Sequence, residues 1–116
     1  MFFGDSLTDA GFFRPLLPPE VQAVTGQFTT NPGWVWAQHL AERYGTDASA
    51  NGNGQSGDNY AVGGARVAED VGGDLGPTPS VTSQVQSFMG AGRVDPDALY
   101  TVWGGANDVF AVAAGA

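Results

Sequence analysis

The sequence has no cysteine, no lysine and a single histidine among its 116 residues. Without cysteine there is no disulfide framework and no thiolate metal site. Without lysine, the basic side chains are four arginines against twelve acids, a net charge of −8. A nucleic-acid binder neutralises phosphates with a basic surface, so that class of partner is excluded. An anionic membrane surface would repel the chain as well. No stretch approaches the roughly 18 consecutive apolar residues of a membrane helix. Residues 1–20 combine neither a basic start nor a continuous apolar run, so they do not read as a signal peptide.

What is present fits one domain. An apolar share of 42% is enough for a core, and 11% aromatic argues against disorder. Eighteen glycines and seven prolines predict long loops and tight turns rather than a helical bundle.

Met1–Phe3 reads as the tail of a strand, followed by a loop over 4–14 that turns into a short helix. Residues 16–19 and 26–33 read as irregular. The segment WVWAQHLAERY, 34–44, is the clearest helix: Trp36, Leu40 and Tyr44 recur at i, i+4, i+8, with Asn31-Pro32 as a cap region and Gly45 as a stop. Residues 46–59 form a Gly- and Asn-rich loop, and Tyr60-Ala61-Val62 a short strand closing on Gly63-Gly64. After a loop at 72–79, Ser80 caps a helix carrying Val81, Val85 and Phe88-Met89. Ala98 to Trp103 is a nearly unbroken apolar run, as in a buried strand, and Asp108 reads as the cap of a last helix, 109–114.

This alternation predicts an α/β sandwich around a parallel sheet. In such sheets, ligands sit beyond the carboxyl ends of the strands. Three small polar stretches fall at those ends: Gly4-Asp5-Ser6, Gly63-Gly64-Ala65 and Gly105-Ala106-Asn107-Asp108. All three are expected to converge on one edge.

These residues carry a resemblance. FFGDSLTDAG (2–11) resembles the first block of the GDSL lipases and esterases, or SGNH hydrolases. NYAVGGAR (59–66) is similar to the block that supplies the family's glycine, and GGANDVF (104–110) to the one that supplies its asparagine. WVWAQHLAERYG looks like the helix that follows the serine loop. The nearest likeness is to bacterial members whose esterase domain is the passenger of an outer-membrane autotransporter, which implies a secreted or cell-surface location.

The resemblance implies a three-layer, flavodoxin-like sandwich, an ester or lipid substrate, and no cofactor or metal. Ser6 would attack the acyl carbon. The backbone N–H groups of Ser6 and Gly64 and the side-chain amide of Asn107 would form the oxyanion hole. Counting from Asn59 selects Gly64 over its neighbour Gly63. Asp5 would organise the loop through local hydrogen bonds rather than serve as triad acid.

A serine hydroxyl is a weak nucleophile until a base takes its proton. The family's base is a histidine in an Asp-x-x-His block, which these residues do not contain; three positions before His39 stands Trp36. His39 reads as an ordinary helix-flank residue. The chain is therefore expected to be the N-terminal part (1–116) of one longer, incomplete hydrolase domain, with weak activity and stability alone, and the rest of that domain as its partner.

Two other functions compete. A non-catalytic binding module on the hydrolase fold is favoured by the missing base. Asp47-x-Ser49-x-Asn51-Gly52, with Asp58 at the twelfth position, matches the skeleton of an EF-hand calcium loop, but lacks the following helix. Among the aromatics, Phe12 and Phe13 are the expected pocket residues, while Trp34, Trp36, Trp103 and Phe28 read mostly as core.

Overall fold

The computed structural model describes residues 1–92 and 94–115. In chain order the elements are β1 (Phe2–Gly4), a 3-10 turn (Arg14–Leu16), α1 (Pro19–Gln22), α2 (Trp36–Tyr44), β2 (Asn51–Gly52), β3 (Gln55–Ser56), β4 (Val71–Gly73), β5 (Gly76–Thr78), α3 (Val81–Gly90), β6 (Thr101–Trp103) and α4 (Ala106–Ala113).

The two phenylalanines of β1 explain the layering. Successive strand side chains point to opposite faces. Phe2 packs with Ala37 and Ala41 of α2, and edge-on against Trp36 at 5.7 Å. Phe3 packs with Val81 and Phe88 of α3, and stacks on Tyr60 at 5.5 Å. Each face of the strand is thus covered by one helix, which makes a three-layer α/β sandwich.

β1 is also the middle of the sheet. On one side it pairs in parallel with β6, Phe2 opposite Thr101 and Gly4 opposite Trp103. On the other side runs the segment 58–62. The Tyr60 N–H donates to the Phe2 carbonyl at 2.8 Å and the Val62 N–H to the Gly4 carbonyl at 3.1 Å. This run is too irregular to count as a strand, yet it is parallel to β1. A Cβ on Gly4 would stand 2.6 Å from the Trp103 carbonyl oxygen. Glycine is what lets the two main chains approach so closely where the strands end.

The helix at 34–44 begins two residues later than the sequence predicts. Its N-cap is Val35, whose N–H donates to the Gln38 side chain at 2.9 Å. Asn31 instead donates to the Gln27 carbonyl. Gly45 ends the helix in the left-handed region, with φ +67°. Ser80 caps α3 as expected, accepting the Ser83 N–H at 3.1 Å.

Three expectations are corrected. The apolar run 98–103 is not a buried strand: only Thr101–Trp103 is extended, and Val102 is 65% exposed. Its neighbour Trp103 is half exposed too, and among the described strands none pairs with the outer edge of β6. Asp108 does not cap α4; the N-cap is Gly105, and Asp108 lies within the first turn. Both glycine-rich loops contain hairpins, β2–β3 and β4–β5. Asn53-Gly54 forms the first turn with φ +53° and +83°, both positive as a type I′ turn requires. Among the described residues no helix is long and apolar enough to cross a membrane.

Candidate active site

The chain leaves β1 into a tight polar turn. The Asp5 carbonyl accepts the N–H groups of Thr8 and Asp9, each at 3.0 Å, while its Oδ1 accepts the Leu7 N–H at 3.1 Å. Asp5 is almost fully buried, and its second oxygen has no partner among the described residues. Its bonds are therefore local, and they wrap the turn around Ser6. From outside, the Trp36 indole donates to the Thr8 hydroxyl at 3.1 Å, and the Asn59 amide to the Thr8 carbonyl at 2.7 Å. Below the turn, the buried side chain of Gln84 accepts the Gly4 N–H and donates to the Gly4 carbonyl, both at 2.9 Å.

Asp9 joins this turn to the second polar stretch. Its Oδ1 accepts the N–H groups of Gly11 and Phe12 at 2.7 and 2.8 Å; its Oδ2 accepts the Gly63 N–H at 2.7 Å. Asp9 has no exposed surface. Burial raises its carboxyl pKa above the ordinary value, a shift that the Phe12, Gly11 and Gly63 N–H groups and the Arg14 charge offset only in part.

The Gly63 N–H is taken by Asp9, whereas the adjacent Gly64 N–H donates to no acceptor among the described residues, and neither does that of Ser6. Gly64 has φ +85°, and a Cβ there would touch only the Thr78 methyl at 3.8 Å. Space is therefore not what demands glycine at this position; the left-handed backbone is.

The third stretch begins where β6 ends. Asn107 lies in the first turn of α4, and its amide donates to the Ala65 carbonyl at 2.9 Å. Asp108 accepts the Val67 N–H at 3.0 Å. These two bonds tie the start of α4 to the stretch that follows Gly64. An Asn amide has two hydrogens, so the bond to Ala65 fixes its orientation and leaves one donor over. Ser6, Gly64 and Asn107 thus leave the carboxyl ends of three adjacent parallel runs, and side-chain bonds lock the three stretches together. They offer uncharged donors on the edge where a parallel sheet receives ligands.

His39 is not part of this edge. It is exposed on α2, with its ring 5.2 Å from that of Trp34. The EF-hand skeleton does not form a loop of ligands either. Asp47 accepts both the N–H and the hydroxyl of Ser49, and Asn51 lies in the β2–β3 hairpin, donating to the Gly57 carbonyl. Among the described residues no three acidic, His or Cys side chains gather around a common point.

Asp9 and Gln84 were not legible as site residues. The only local sign for Asp9 is an Asp two residues before a glycine in a turn. For Gln84 it is a polar residue on the apolar face of a helix, between Val81 and Phe88.

The family model described as GDSL-like Lipase/Acylhydrolase matches residues 1–114. Comparison with curated proteins and with solved structures gives no match. The matched span takes in β1, α2 and α3, and all three polar stretches. The chain belongs to the GDSL-like lipase/acylhydrolase family.

Proposed function

We propose that these residues carry carboxylic-ester hydrolysis through an acyl-serine intermediate. The observation behind this reading is the pair of unpaired backbone N–H groups, Ser6 and Gly64, with the oriented Asn107 amide bonded to the stretch just after Gly64. Ser6 Oγ attacks the acyl carbon, and its proton passes to a base and then to the departing alcohol. The carbonyl oxygen becomes an oxyanion held by the N–H groups of Ser6 and Gly64 and the Asn107 amide. Water then adds to the acyl-serine, releasing the acid and restoring the hydroxyl. Preorganised donors of this kind are worth about 10²–10³ in rate apiece. Family membership supports a hydrolase, and no step calls for a cofactor. A secreted or cell-surface location belongs to the same reading and rests on the autotransporter-like blocks alone.

The base is the open step. No Asp-x-x-His occurs in these 116 residues, and His39 is engaged with Trp34 instead. A hole without its base retains about 10³–10⁴ over water in serine proteases. In that regime Ser6→Ala changes little, because nothing activates the hydroxyl it removes. Supplying the base from solution separates the cases. Imidazole should accelerate hydrolysis of a short p-nitrophenyl ester by the wild-type chain well beyond its effect in buffer. Ser6→Ala should lose that gain, and His39→Ala should keep it. A fluorophosphonate should label Ser6 under the same conditions.

The second reading is a non-catalytic binding module, favoured by the absence of Asp-x-x-His from the sequence. Imidazole acceleration that is identical with and without the Ser6 hydroxyl, together with no labelling, would establish it.

A further inference from the structure

A groove of about 400 Å³ opens beside Gly64, between the β4–β5 hairpin and the loop that carries Phe28. Phe13, Phe28, Val71, Leu75 and Thr78 supply its side-chain walls. Two observations join it to the candidate site. Gly64, with its unpaired N–H, is part of the lining. The hydroxyl of Thr29 donates to the Ser6 carbonyl at 3.4 Å, so its neighbour Phe28 stands next to the serine turn.

The walls are built for an apolar guest. The Phe28 ring lies flat over Gly63, where any Cβ would overlap it, and 5.9 Å from the buried ring of Phe13. Yet Phe28 is half exposed, at 51%, and Leu75 at the hairpin tip is 42% exposed. Both large apolar side chains are exposed beside the Gly64 N–H. The hairpin adds Gly72, Gly73 and Gly76, which give it a nearly bare backbone wall. Among the described residues, the one charged group of the lining is Asp74, an acid, and no arginine is there. Pockets that enclose small ligands start near about 300 Å³, so the space suits a modest chain and not a long lipid tail.

We infer that this groove holds the acyl chain of the substrate, and that the preferred chain is uncharged and of short to medium length. The identity of the guest rests on the acyl-serine reading above. The acyl group, not the alcohol, is assigned here because it stays on Ser6 through both halves of the reaction. Throughout, its carbonyl oxygen would face the Gly64 N–H. The alcohol departs after the first half and has no need of a walled site. An acyl chain ending in a carboxylate would meet Asp74, with no cation among the described lining residues to balance it.

The test uses neutral alkyl methyl ketones, which mimic the ester without being hydrolysed, titrated into the whole chain by NMR. Affinity should rise about three- to fourfold per added methylene from butyl to octyl, then level off by hexadecyl. Signals of Thr78, Leu75, Val71 and Phe28 should shift. A terminal carboxylate should weaken binding at least about tenfold. Leu75→Asp, at an exposed hairpin tip where folding is not at stake, should flatten the chain-length dependence. With imidazole supplied, kcat/KM should follow acyl length in p-nitrophenyl esters, and not alcohol length in acetates.

Flat affinity across the ketones, or shifts away from the hairpin, would overturn the groove. Dependence on alcohol length would overturn its assignment to the acyl chain. Ser6→Ala separates the two layers of the proposal. Length-dependent ketone binding that survives in this variant upholds the groove, even where the imidazole experiment has rejected Ser6 as nucleophile.

Discussion

Replacing Asp9 with alanine should destabilise the fold by about 2–4 kcal/mol, a large part of the total for a small domain. The substitution strips the acceptor from the N–H groups of Gly11, Phe12 and Gly63. A buried donor left unsatisfied costs about 1–3 kcal/mol. Relief from burying a carboxylate offsets part of that sum. Asp9→Asn keeps the shape but turns one accepting oxygen into a donor group, so it should lie between alanine and wild type. The pH dependence has an unusual sign. Burial raises the Asp9 pKa in the folded chain above its unfolded value, which is about 3.9. The folded state therefore binds the proton more tightly. Its contribution is fully present below the unfolded value and is lost as pH rises through the folded one. Urea unfolding should show wild type gaining stability relative to Asp9→Asn as the pH falls through that window. A difference that shrinks toward acid would mean that the N–H bonds and Arg14 outweigh burial.

Asn107→Ala should lower the residual ester hydrolysis about 10²–10³-fold, equivalent to about 2.7–4 kcal/mol of transition-state stabilisation. The amide would act on charge that develops during reaction, so ketone affinity should hardly change while the rate collapses. The variant also loses the bond to the Ala65 carbonyl, worth about 1 kcal/mol in stability. That bond is only part-buried, and Asp108 still holds the Val67 N–H, so the start of α4 should stay in place. Unchanged circular dichroism with a collapsed rate is the expected pair of results. An equal loss of ketone binding and rate would assign Asn107 to structure alone.

Much of the frame could be read from local pattern. Phe2 and Phe3 together announce a strand buried on both faces, and α2 and α3 each supply one of those faces. Gly45 and Ser80 mark helix ends through backbone geometry and a hydroxyl, which are local effects. The three polar stretches could be placed on one edge because parallel strands all end there.

What local pattern did not reveal depends on distant partners. Gln84 belongs to the serine turn through two bonds to Gly4, eighty residues away in sequence. Asp9 ties the serine turn to the Gly63 N–H, fifty-four residues away, beside Gly64. Phe28 reads as core by composition, yet half its surface is open, because the hairpin it faces stands off to form a groove. Phe12, expected in the pocket, turns edge-on to Phe13 and packs over Gly52 instead. The β2–β3 hairpin lies in a stretch expected to be a loop, because two-residue strands are too short for alternation to show. The exposure of Val102 and Trp103 depends on what packs over β6 from elsewhere in the chain, which no single strand sequence records.

The most direct measurement is a crystal structure of the chain after prolonged reaction with a fluorophosphonate in imidazole. Phosphorus should be bonded to Ser6 Oγ, with one phosphoryl oxygen about 3 Å from the Ser6 nitrogen, the Gly64 nitrogen and Asn107 Nδ2 alike. A phosphoryl oxygen pointing to solvent, or one met by the serine turn alone while Gly64 and Asn107 stay apart from it, would contradict a shared oxyanion site.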